Sequence, residues 1–60
     1  MNSLDNLECG TMVSVTKLDT DIFPTDFIGT VVRICDRFVL VRDENKDEWG
    51  CVPEQIELVP

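Results

Sequence analysis

The chain has no histidine, no tyrosine and a single tryptophan, and only five of its 60 residues are basic. Each shortage excludes something. Without histidine, a cysteine or serine nucleophile lacks its usual imidazole base, and no Gly-x-Ser-x-Gly elbow is present. Structural zinc sites draw most of their four ligands from Cys and His. Here Cys9, Cys35 and Cys51 are widely separated, with no Cys-x-x-Cys pair. The sequence therefore predicts reduced, zinc-free thiols packed mostly inside as small hydrophobes. Their odd number also speaks against a secreted disulfide framework. No apolar run approaches the roughly 20 residues that a helix needs to cross a bilayer. The opening residues 1–8 contain neither a basic nor an apolar block, which predicts no signal peptide and a cytoplasmic address. The expectation from these absences is a protein that is not an enzyme and carries no cofactor.

What the chain has in excess is acid. Twelve Asp and Glu oppose the five Lys and Arg, for a net charge of −7. Nucleic-acid affinity rests on Lys and Arg contacts that release counterions from phosphates. Lys17, Arg33, Arg37, Arg42 and Lys46 are outnumbered and dispersed, so direct DNA or RNA binding is disfavoured. A basic protein partner follows more naturally, as does imitation of nucleic acid by the acidic surface. Sixty residues make one small domain that buries only about 60% of its unfolded surface, so its stability is marginal.

Along the chain, residues 1–8 read as a polar leader and 9–60 as the folded domain. Alternation of apolar and polar residues with β-branched enrichment predicts strands over 11–17, 27–35, 38–43, 48–52 and 56–59. Val13 and Val15 share one face of the first strand. Gly29 within the second strand predicts a bulge or sharp bend. The stretch 18–26, with three Asp, two Thr and Pro24, breaks every period and reads as a long loop. Residues 43–48 form a second polar turn. Pro53 presets φ near −65° and lacks a ladder donor, which predicts a one-turn helix at 53–55 before the last strand.

The closing run Gly50-Cys51-Val52-Pro53-Glu54-Gln55-Ile56-Glu57-Leu58-Val59 resembles the end of an SH3 domain. The earlier Gly10-x-x-Val13-x-Val15, Gly29-Thr30-Val31-x-x-Ile34 and Val39-Leu40-Val41 resemble the opening of KOW-type and photosystem-subunit barrels of the same shape. The resemblance spans residues 10–59 and implies an all-β, five-stranded SH3-like barrel with a one-turn 3₁₀ helix before the last strand. It carries fold with more specificity than function. The family's opening Ala-Leu-Tyr-Asp-Tyr motif and its paired tryptophans are missing, so the stacking platform for proline-rich ligands is absent. A KOW or Tudor-like nucleic-acid module and an acidic nucleic-acid mimic stay as alternatives.

Two acidic clusters are the candidate partner-binding site. Asp19, Asp21 and Asp26 surround Phe23-Pro24 in the long loop, while Asp43, Glu44 and Asp47 stand beside Trp49. In SH3-like barrels the corresponding loops lie at one rim, which implies that both clusters face the same side. Aromatics within a polar rim are common interface anchors, so Phe23 and Trp49 are either exposed anchors or core, whereas Phe27 and Phe38 read as core. Asp43-x-Asn45-x-Asp47 echoes a calcium loop, but Glu48 stands where that loop needs glycine, and a solvated turn is the reading. Mutual repulsion among the acids predicts that neutralising Asp19 and Asp21 leaves the fold intact or slightly steadier.

Overall fold

A computed structural model describes residues 7–59. Apolar residues, repeatedly β-branched in the first three, set the strands: β1 Met12–Val15, β2 Phe27–Ile34, β3 Val39–Arg42, β4 Glu48–Cys51 and β5 Ile56–Leu58. Each lies within two residues of the bounds expected from periodicity. The 3₁₀ turn falls at Pro53–Gln55, as the proline requires, and leads directly into β5. The five strands form one antiparallel sheet in the order β4-β3-β2-β1-β5. Among the described residues, no helix is long and apolar enough to cross a membrane.

The long strand β2 is shared. Residues Phe27 to Thr30 pair with β1, and Thr30 to Ile34 pair with β3. The register slips by one residue between Val31 and Arg33, so the bulge sits at Val32 and not at Gly29. Gly29 has a different reason to be glycine. A Cβ there would run into the carbonyl oxygen of Arg42 and lie 2.7 Å from Val41 Cγ1. Strand β3 crosses so close at that point that only a bare Cα fits.

The core is a layer of valines. Val13, Val15, Val31, Val39, Val41 and Cys51 are almost fully buried, and Leu7, Phe23 and Ile56 close around them. Val13 and Val15 do share one face, and that face is inward. The expected leader 1–8 falls mainly on residues 1–6, outside the described residues. Of its last two members, Leu7 is part of the core. Phe38 corrects another expectation. It directly precedes β3, on the face opposite Val39 and Val41, remains exposed, and lies over Gly50 of β4. Phe27 is half-buried and packs against the core. The three thiols are free, but only Cys51 is buried; Cys35 is half-buried and Cys9 exposed, contrary to a mostly interior set.

Candidate functional site

The segment between β1 and β2 is ordered by its own side chains. Asp21 Oδ2 accepts from the Leu18 N–H at 2.8 Å, and Asp26 Oδ1 accepts from the Lys17 N–H at 2.6 Å. These short bonds let Asp residues satisfy backbone donors that no strand partner reaches. The fold of the loop directs Phe23 inward, where it is 3% exposed. Its ring meets Phe27 edge-on at 5.1 Å and Trp49 at 5.6 Å between centroids, both within the range of favourable aromatic pairs. Phe23 is therefore core, which settles against an exposed anchor; Trp49 is half-buried.

The turn between β3 and β4 is built around one carboxylate. Asp43 Oδ1 accepts from the N–H groups of Asn45 and Asp47, at 2.8 and 3.0 Å. Its Oδ2 accepts from Trp49 Nε1 at 2.8 Å. The Trp49 N–H is the main reason that the Asp43 carboxyl sits below its ordinary value, with the two backbone donors adding to it. The Lys46 N–H donates to the Asp43 carbonyl, and Lys46 takes a left-handed φ of 69°. This is a tight turn followed by a left-handed residue, a common hairpin solution. The Asp43-x-Asn45-x-Asp47 spacing is thus used for the turn itself. Among the described residues, no three His, Cys, Asp or Glu side chains converge as metal ligands.

Between these two segments lies a groove of about 560 Å³. One wall is Phe23 to Ile28 of the long loop and β2; the other is the 43–47 turn with Trp49. Four acids line it, Asp26, Asp43, Glu44 and Asp47, and no Lys or Arg does. Two sequence-predicted acidic clusters are in this way partly brought together. Asp26, Phe23, Asp43, Glu44, Asp47 and Trp49 meet at the groove, whereas Asp19 and Asp21 do not line it. Asp21 has an internal task instead. The Leu18 N–H, followed by the Gln55 side chain, holds its carboxyl below the ordinary value. A carboxylate under net repulsion would shift the other way. The bonds from Leu18 and Gln55 both end on Oδ2, so an Asn at this position keeps an oxygen able to accept them while giving up the charge that strengthens them.

Gln55 is the residue that sequence reasoning missed. It is the one buried polar side chain among the described residues. Its Nε2 donates to the Thr16 carbonyl at 2.6 Å and to Asp21 Oδ2 at 2.8 Å, while its Oε1 accepts from the Val52 N–H at 2.8 Å. One amide ties the end of β1, the long loop and the 3₁₀ turn together. The available signal was Val52-Pro53-Glu54-Gln55, a Gln placed to reach back to the first N–H of a proline-initiated turn. Among the described residues, no buried side-chain nitrogen or oxygen lacks a partner.

Comparison of the chain with protein-family models, with curated proteins and with solved structures gives no match.

Proposed function

We propose that this chain is a non-enzymatic protein-interaction module that binds a basic protein partner through the acidic groove between the long loop and the 43–47 turn. The observation that carries this reading is the composition of the groove: aromatic walls, four carboxylates and no cation. Apolar surface rimmed by charge of one sign favours a partner of opposite sign and speeds its encounter. Glu44 and Asp47 are exposed, and among the described residues their side chains accept no hydrogen bond. They are the groove charges left for a partner.

For the fold we propose an SH3-like barrel. The order β4-β3-β2-β1-β5, the long β2 shared between two neighbours and the 3₁₀ turn before β5 support it. A small accessory or regulatory subunit of a cytoplasmic assembly is the role that suits such a module.

The net charge of −7 favours a second reading, an acidic mimic of nucleic acid that blocks a basic cleft. Competition separates the two: duplex DNA must displace a mimic from its target, while an ordinary partner keeps its hold. The test of the main reading uses a partner captured from the source cells and purified. Glu44→Gln with Asp47→Asn should slow its association at low salt by about tenfold while leaving dissociation nearly unchanged. Association at the wild-type rate would reduce the groove acids to a solvated surface.

A further inference from the structure

The two ends of the β2–β3 hairpin carry opposite charge. At one end lies the acidic groove, whose walls include Phe27 and Ile28 at the start of β2 and Asp43 just after β3. At the other end is the β2–β3 turn, where Arg37 and, near the end of β2, Arg33 are exposed. Neither of these guanidinium groups forms an ion pair among the described residues; Arg42, by contrast, is engaged with Glu48 at 2.9 Å. Apolar surface accompanies the free cations: Phe38 is 42% exposed and Ile34 46%. Asp36 is the turn's one acid. The molecule thus presents an aromatic-walled anionic groove and, one hairpin length away, a cationic knob with an exposed ring.

We propose that the groove also accepts a second copy of this chain, with the Arg37-Phe38 turn of one molecule seated between the long loop and the 43–47 turn of the next. Phe38 of the incoming copy lies toward the aromatic wall, and Arg33 and Arg37 meet Glu44, Asp47 and Asp26. The contact joins unlike surfaces, so it leaves a free groove at one end and a free turn at the other. Copies then add head to tail, and the same groove cannot hold a basic partner while a copy occupies it. The inference rests on the groove being a docking surface for basic groups.

Charge also sets the salt dependence, and in an unusual direction. Two copies each carrying −7 repel as whole bodies. Their centres stand on the order of the molecular extents of 29 × 22 × 21 Å apart. That repulsion is felt in full at 0.01 M salt, where the screening length is about 30 Å, and fades at 0.15 M, where it is about 8 Å. The pairs within the contact lie well inside either length. Self-association therefore strengthens from 0.01 to 0.15 M salt, while binding of an oppositely charged partner weakens over the same range.

Sedimentation velocity of the whole chain, run as a concentration series at both salt levels, tests this. Trp49, the only tryptophan, lines the groove and provides a second readout through its emission. The expected result is a weight-average sedimentation coefficient that rises with concentration more steeply at 0.15 M than at 0.01 M, with a parallel change in Trp49 emission. Arg33→Glu with Arg37→Glu should abolish the rise, and so should Glu44→Arg with Asp47→Arg. A mixture of the two double variants should restore it, although both remain net negative, so overall attraction cannot account for the rescue. Circular dichroism of each variant confirms that these surface changes leave the sheet in place. A wild-type chain that stays monomeric up to about 1 mM at 0.15 M salt overturns the proposal, as does a mixture that fails to associate. Either result leaves the groove's binding of a basic partner standing, because that is judged by the partner's association rate.

Discussion

Trp49 Nε1 donates to Asp43 Oδ2 at 2.8 Å, which fixes the indole of β4 to the residue that also shapes the turn beside it. One carboxylate orders the turn backbone with one oxygen and orients the groove's aromatic wall with the other. The turn and the wall therefore change together.

Replacing Asp43 with Asn tests that coupling. An amide NH₂ cannot accept the indole N–H, so Trp49 should gain freedom and its emission maximum should shift. The thermal midpoint should fall by a few degrees, because the indole N–H loses its partner. An unchanged emission spectrum would show that Trp49 is held by packing alone.

Phe23 and Phe38 have opposite fates and should respond oppositely. Phe23→Ala opens a cavity among Phe27, Trp49 and the valine layer. A cost of about 3–5 kcal/mol is expected, comparable with the whole stability of a domain this small. Phe38→Ser, on the exposed face, should change stability by less than about 1 kcal/mol. Urea titrations of the two variants give the comparison directly, and equal losses would contradict the burial described for both.

Backbone positions give a third contrast. Gly29→Ala places a methyl group against the Arg42 carbonyl and Val41, and neither can withdraw without parting β2 from β3. Overpacking of this kind costs about 1–3 kcal/mol. Lys46→Gly should do the reverse and stabilise the chain by about 1 kcal/mol, since φ of 69° is strained for lysine and free for glycine. It also removes a cation beside the groove, so association with a basic partner should quicken. Chemical denaturation reads the first effect and stopped-flow mixing the second.

The pH profile should decline on both sides for different reasons. Asp21 and Asp43 each lie below their ordinary value of 3.8 in the folded chain, through the Leu18 N–H first and the Trp49 N–H first. A depressed folded value means stability that is present above about pH 4 and lost as pH falls through the folded value. On the alkaline side, burial pushes the Cys51 thiol up from 9.0 to about 11, with Asp21 adding to the rise. Ionisation of that thiol is then favoured only in the unfolded chain. Stability should fall between about pH 9 and pH 11, by up to about 2 kcal/mol. Cys51→Ala should flatten the alkaline limb and leave the acid limb untouched. A parallel loss of both limbs would rule out this assignment.

Gln55→Glu is the sharpest test of the network at the 3₁₀ turn. A carboxylate cannot donate to the Thr16 carbonyl, and it would face Asp21 Oδ2, which Gln55 Nε2 now approaches to 2.8 Å. At neutral pH the variant should lose more stability than Gln55→Ala. It should recover part of the loss as pH falls toward 5 and the introduced acid protonates. A variant indifferent to pH would mean that the loop opens to let the charge reach water.

Strand positions were legible because Val13, Val15, Val39 and Val41 follow a period of two on a half-buried sheet, and Pro53 marks the 3₁₀ turn by its covalent geometry. Phe38 was legible in principle: the same period that buries Val39 and Val41 turns it outward. Phe23 was not, because a loop has no period, and its burial depends on Phe27 and Trp49 arriving from two other elements. The acidic density was visible at once, but the division of labour within it was not. Asp21 and Asp43 hold backbone and side-chain donors, and Glu44 and Asp47 remain exposed, a distinction made by hydrogen-bond geometry alone.

The strand order has a kinetic consequence. Strands β1 to β4 join neighbours in sequence, so their pairings form as successive hairpins, short at the β2–β3 and β3–β4 turns and longer across residues 16–26. Pairing of β1 with β5 joins Val13 to Leu58 and Val15 to Ile56, across nearly the whole chain. Closing so large a loop is entropically late. Substitutions at the β1–β5 seam and at Gln55, which locks it, should therefore act chiefly by speeding unfolding, whereas changes in the β2–β3 hairpin should slow folding itself.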